Sequence, residues 1–180
     1  VVTRPAGDRS AEDRVAEAWQ ALATVLDPEV PALSVCDLGI VREVRLPGDG
    51  AALEIVLTPT YSGCPATEVI EHDVLAAIDA AGLGPARVRL QRAPAWTTDW
   101  ISEEGRRKLR EYGIAPPGPV SGEVAVPLRF VGGRRSASKV ACPRCASEDT
   151  ERISAFGATA CKAMYRCRSC REPFEHFKPI

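Results

Sequence analysis

The chain has 180 residues, enough to bury one good core and leave a small appendage. A hydrophobic content of 45% with a formal net charge of -1 describes an ordinary globular chain without global attraction for nucleic acid or an anionic membrane. The apolar runs are too short to span a bilayer, and the start, "VVTRPAGDRSAEDR", lacks an apolar signal-peptide core, so the expectation is a cytoplasmic protein.

Ser10 followed by Asp13 reads as a helix N-cap with an acidic first turn. Val15, Trp19, Leu22 and Leu26 then recur at helical spacing, up to a stop at Asp27-Pro28. "IVREVRL" and "AALEIVLTP" predict two strands joined across "PGDG", an antiparallel hairpin. "YSGCP" leads into a helix with Pro65 in its first turn and Ile70, Val74, Ala77 and Ile78 on one face, closed by Gly82. A third strand, "ARVRLQ", alternates Val88 and Leu90 with Arg87 and Arg89, and the two arginines read as a solvated face. The second strand, the helix and the third strand make a βαβ unit, normally right-handed. Trp96 and Trp100 are expected to pin a short helix, "SEEGRRKLREYG", to the sheet rather than to stack on a ligand, with Ser102 as the helix cap and Gly113 as its end.

From Ala115 to Ala141 the composition shifts to "APPGPVSG" and "GGRRSAS", linker-like stretches around one short strand candidate, "EVAVPLRFV". No internal repeat is visible. The fold class is therefore α+β: a small mixed sheet with a βαβ unit and flanking helices over residues 1–114, a linker over 115–141, and a zinc ribbon over 142–180.

The ribbon expectation comes from cysteine arithmetic. The chain has seven cysteines, an odd number, and four of them form two C-x-x-C pairs, which in a chain without an export signal points to metal rather than disulfides. Cys142 with Cys145 and Cys167 with Cys170 make two knuckles, and two knuckles close a tetrahedron of four thiolates. The stretch between them, residues 146–166, is slightly longer than the usual ribbon spacing. So short a tail, with few large apolar residues, needs the metal for its folding energy. One structural zinc is the expected ion, and rubredoxin-like iron uses the same spacing. Cys161 and His176 are then spare, Cys161 either as a small buried hydrophobe or as an exchangeable ligand or redox partner.

Cys64, in "TPTYSGCPATEV", falls between the end of a strand and the start of a helix, where open α/β units place ligands and where the helix dipole favours a thiolate. Gly63 permits a tight turn, and Thr60, Tyr61 and Ser62 add hydroxyls; the alternative is that Cys64 is simply a compact residue in that turn. Asp37, in "SVCDLGIV", precedes the first strand at the same end of the sheet, either as a turn residue or as a partner of Cys64, while Cys36 reads as core. The histidines, His72 and His176, give Cys64 no convincing base, since His72 lies about two helical turns beyond it. No phosphate loop or dinucleotide fingerprint is present.

"PEVPALSVCDLGIVREV", "TPTYSGCPA", "PAWTTDWISEEGRRKLREYGIAPP" and the cysteine-rich ending together resemble the D-subunit family of phenylacetyl-CoA epoxidase systems. The first 115 residues are similar to the SufT-like domain associated with iron–sulfur assembly, whose aspartate and cysteine positions fall on Asp37 and Cys64. The chain departs from that family at its end, "FKPI", where the family carries a Cys-His pair.

The resemblance implies an accessory subunit in aerobic phenylacetate catabolism that does not itself oxidise the ring. It would instead mature or repair an iron or iron–sulfur centre in a partner, handling transient iron or a cluster through Cys64 and Asp37. The implied partners are the oxygenase subunits or their iron–sulfur reductase, with a homodimer left open and neither nucleic acid nor membrane. Two other readings compete. One is a thiol-dependent redox enzyme using Cys64. The other is a nucleic-acid-binding ribbon with Arg129, Arg134, Arg135 and Lys139 as its basic stretch, opposed by Glu148, Asp149 and Glu151.

Overall fold

In the computed structural model, which describes residues 10–48, 52–61, 63–120 and 139–180, the chain divides into two units, Val1–Lys108 and Leu109–Ile180. The strand expected within 123–131, the linker arginines Arg129, Arg134 and Arg135, and Ser62 lie outside the described residues. No helix is long and apolar enough to cross a membrane among the described residues.

The first unit opens with helix α1, Ala11–Leu22. Ser10 Oγ accepts the Asp13 N–H at 3.1 Å and the Asp13 carboxylate accepts the Ser10 N–H at 3.3 Å, the reciprocal capping box its sequence spells. The helix ends earlier than the apolar spacing suggests. Leu26 has left it, pairs its backbone with Ser34 in an isolated β-bridge and is exposed, while Val25 is buried in its place. Asp27 does not cap the helix; its Oδ1 accepts the Glu29 and Val30 N–H groups and builds the following turn.

Strands β1 (Val41–Arg45) and β2 (Leu53–Leu57) form the expected antiparallel pair, with a bulge at Arg42. Helix α2 (Thr67–Ala80) returns the chain to β3 (Ala86–Leu90), which pairs parallel to β2, so the sheet order is β1-β2-β3. Leu53, Ile55 and Leu57 share one face of β2 by its period of two, and all are buried. Ala18 and Leu22 of α1 and Ile70, Val74 and Ile78 of α2 complete that core, and burial of these side chains is the main stabilising term of the unit.

The other face of the sheet corrects an expectation. Arg87 and Arg89 are not merely solvated. Together with Arg45 they converge on Glu54 of the central strand, whose side chain is only 6% exposed. Arg87 Nη2 lies 2.7 Å from Glu54 Oε2 and Arg89 Nε 3.2 Å from Oε1, while Arg45 bonds Oε1 from Nε and Nη2. The Arg45 hydrogen bond, with help from Arg87 and Arg89, holds the Glu54 carboxyl down at about 2. One carboxylate thus ties all three strands in register.

Beyond the sheet, a 3-10 turn (Thr98–Trp100) leads into helix α3 (Glu103–Tyr112), which is capped by Ser102 Oγ accepting the Gly105 N–H at 2.9 Å. Trp96 is buried and donates its indole N–H to Leu38 O at 2.9 Å, and the Arg42 guanidinium stacks 3.5 Å from the Trp100 ring centre.

In the second unit, β5 (Thr150–Ser154), β6 (Lys162–Cys167) and β7 (Pro173–Phe177) form an antiparallel sheet. A two-residue strand, β4 (Ile114–Ala115), joins it parallel to β7, giving the order β4-β7-β6-β5. Its core is small: Val140, Tyr165 and Phe174 pack with Cys142 and Cys167, and the Tyr165 and Phe174 rings stack with centres 5.9 Å apart. Such a core needs a further constraint to hold.

Candidate metal centre and thiol turn

That constraint is the cysteine cluster. The sulfurs of Cys142, Cys145, Cys167 and Cys170 all lie within 4.8 Å of one another, with Cys142 to Cys170 at 3.7 Å and Cys145 to Cys167 at 3.6 Å. A tetrahedron with metal–sulfur bonds of about 2.3 Å has an edge of about 3.8 Å, so the four thiolates fit a single ion. Each knuckle is closed by a residue in left-handed backbone directly after its second cysteine, Ala146 at φ 60° and Arg171 at φ 69°. Such conformations cost energy in a side-chain-bearing residue and are sustained where the surroundings over-determine them. The Cys170 N–H donates to the Cys167 sulfur at 3.4 Å and favours its thiolate. A bound divalent metal would stabilise the four thiolates and supply folding energy, with no open position for a reacting molecule.

Cys161 and His176 stand outside the four. Cys161 is buried, its sulfur 3.0 Å from Thr159 Oγ1. His176, on β7, is buried with its ring edge-on to Tyr165 at 5.4 Å, and burial pushes its imidazole down to about 4.

In the first unit, Cys64 sits half-buried in the turn between β2 and α2, its N–H donated to Tyr61 O at 3.3 Å and its carbonyl accepting the Thr67 N–H at 3.2 Å. Gly63, immediately before it, has φ +86°, the left-handed backbone that the tight turn demands. Pro65 precedes α2, whose cap position is Ala66. Thr58 carries no sequence signal, yet at the end of β2 its hydroxyl is buried with no hydrogen-bond partner among the described residues.

Asp37 lies on the turn before β1. The Thr58 N–H donates to Ile40 O at 2.9 Å, so the Asp37 turn and the Cys64 turn leave the sheet at the same end. The Asp37 carboxylate is heavily engaged. Its Oδ2 accepts the Ser34 N–H at 2.9 Å and faces Lys108 Nζ at 2.7 Å, while Oδ1 lies 3.4 Å from Ser102 Oγ. Ser34 Oγ accepts the Asp37 N–H in return. Burial alone would raise this carboxyl, but the Lys108 and Ser34 hydrogen bonds prevail and hold it below its usual value. The Ser34–Asp37 spacing is readable as a reciprocal box; Lys108, far along the chain, is not. Cys36 is half-buried, and burial pushes its thiol up to about 11, as suits a packing residue. His72 lies exposed on α2.

A small α/β unit with a cysteine turn at one sheet end, followed by a four-thiolate ribbon, defines a two-part class. Residues 16–89 match the family described as iron-sulfur cluster assembly protein, and residues 129–178 match the PaaD zinc beta ribbon domain. The four-cysteine cluster is accordingly a metal site. The first unit's fold is shared by a solved structure, Domain of Unknown Function DUF59 from Bacillus anthracis, at 24% identity and a TM-score of 0.50, over 55% of this chain and 93% of that one. The Escherichia coli (strain K12) protein named as the D subunit of 1,2-phenylacetyl-CoA epoxidase is 49% identical over 170 residues, 94% of this chain and 96% of its own length. The chain belongs to the family of these epoxidase D subunits.

Proposed function

We propose that this chain is an accessory subunit of a phenylacetyl-CoA ring-epoxidising system that matures or repairs an iron or iron–sulfur centre of a partner, either an oxygenase subunit or the iron–sulfur reductase. The observation that carries this is the identity at 49% across both units to an epoxidase D subunit, in a chain whose first unit matches an iron–sulfur assembly family.

In this reading iron, or a small cluster, is cargo. Cys64 offers it a thiolate from a strand-to-helix turn, where an ion can bind and leave. Asp37 offers a carboxylate at the same sheet end, kept ionised by Lys108 and Ser34, whose bonds fall on Oδ2 and leave Oδ1 as the less engaged oxygen for a metal. His72, exposed on α2 about two turns beyond Cys64, takes no part. The ribbon holds one resident zinc on Cys142, Cys145, Cys167 and Cys170 and performs no chemistry on the cargo.

The test is co-expression of the oxygenase subunits and the reductase with and without this chain, followed by iron and acid-labile sulfide analysis of each purified component. A deficit in one component without the chain names the client, and equal loading in every component refutes the proposal.

A further inference from the structure

The hairpin joining β5 and β6 shows two large apolar side chains to solvent, Ile153 at 56% exposure and Phe156 at 65%. Single exposed apolar residues need no explanation. Here, however, separate structural devices produce the display. Arg152 pairs with Tyr165 and Ser154 with Met164, so Ile153 is the extra residue of a β-bulge, a feature that re-aims a side chain. β5 is also the outer strand of its sheet.

Phe156 is held by the loop that follows. Lys162 is 3% exposed and pairs with Glu175 Oε2 at 2.8 Å, while Glu175 Oε1 accepts the Ala158 N–H at 2.6 Å. The Gly157 N–H donates to Lys162 O at 2.8 Å, and a Cβ at Gly157 would stand 2.5 Å from Glu175 Oε1, on a carboxylate already fixed by Lys162. A buried ion pair is a poor source of stability, and its attested use is to fix one conformation. In so small a ribbon it fixes the loop that carries an outward phenylalanine. Lys178 completes the arrangement, its ammonium 4.6 Å from the Phe156 ring centre and donating to Ala155 O at 3.3 Å.

Pre-organised aromatic anchors carry much of the energy of protein interfaces, because little freedom is lost when they dock. We infer that Ile153 and Phe156 are the anchor by which the ribbon docks on a partner protein offering an apolar cleft rimmed by carboxylates. The acidic rim is required by charge complementarity: Lys178 lies over the ring, and Arg152, exposed, stands next to Ile153. This inference rests on the reading of the chain as an accessory subunit acting on another protein, and it names the surface that meets that protein.

The test uses the full chain, tagged and co-expressed with the oxygenase subunits and the reductase, and measures both capture of each component and that component's iron. Phe156→Ser and Ile153→Ser are expected to weaken capture of one component about tenfold each. Lys178→Glu is expected to weaken it about threefold and to reduce its salt sensitivity. Ribbon metal content stays at the wild-type level in all three, because these side chains are exposed. Undiminished capture by the Ile153→Ser/Phe156→Ser double variant overturns the inference, as does failure of the wild-type chain to capture any component. A wild-type dimer that Phe156→Ser converts to monomer also overturns it, by making a second copy the occupant. If the double variant captures normally while omission of the chain empties a component of iron, docking through this hairpin falls and the proposed function stands. If capture depends on Phe156 but iron does not depend on the chain, the opposite holds.

Discussion

His176 is the residue whose burial has the clearest consequence for pH. Its imidazole falls from 6.5 to about 4 because burial disfavours the charged form. A group with a depressed folded pKa contributes stability that is fully present above its unfolded value and is lost as the pH falls toward its folded one. The ribbon should therefore lose stability as pH drops from about 6.5 to about 4, taking up one proton on unfolding. His176→Phe keeps an aromatic ring beside Tyr165 and removes that proton. Its unfolding measured against pH should lack this step, and a profile parallel to wild type would show that His176 is already solvated. Cys161 gives a second prediction. It is buried and outside the four-sulfur cluster, so Cys161→Ala should keep full metal and cost on the order of 1 kcal/mol. Loss of metal in this variant would make Cys161 a ligand.

Between residues and molecule, the turns that hold elements together decide more than the elements do. Gly39 has φ +66°, and a Cβ there would lie 2.5 Å from Trp100 O and 2.8 Å from Trp100 Cβ. Gly39→Ala should thus cost more than about 2 kcal/mol in chemical unfolding of the first unit, from strained backbone and overpacking together. A cost below about 0.5 kcal/mol would mean that the two segments are not in contact. The same contrast explains what is legible in the sequence. The hairpin, the βαβ unit and α3 follow from periodicity and caps, which are local. The end of α1 escapes such a reading because the Leu26–Ser34 bridge draws Leu26 away from its helical period. The Glu54 staple escapes it because Arg45, Arg87 and Arg89 meet that carboxylate only once three strands align. Alternation alone makes those arginines a solvated face. At the site, the cysteine spacing announces the four-thiolate cluster. The tie from Asp37 to Lys108 joins residues too distant in sequence for any spacing rule.

For the whole molecule, metal and tryptophan report on different units. Trp19, Trp96 and Trp100 all lie in the first unit, whereas the cysteine cluster lies in the second. Cys167→Ser should release the metal and open the ribbon to proteolysis while tryptophan fluorescence keeps its wild-type unfolding midpoint. Full metal retention would contradict the four-thiolate site. Whether iron reaches the client through Cys64, as proposed, is decided by one comparison. The oxygenase subunits and the reductase are purified from cells co-expressing the wild-type chain, the Cys64→Ser chain or neither, and their iron is counted. Cys64→Ser should fold to within about 1 kcal/mol of wild type, since a serine suits a polar strand-to-helix turn. Its hydroxyl, however, is a poor iron ligand at neutral pH. The client should be as poor in iron with Cys64→Ser as with no chain at all, at equal levels of folded protein. A client fully loaded by Cys64→Ser, and empty only when the chain is absent, would take Cys64 out of the delivery of iron.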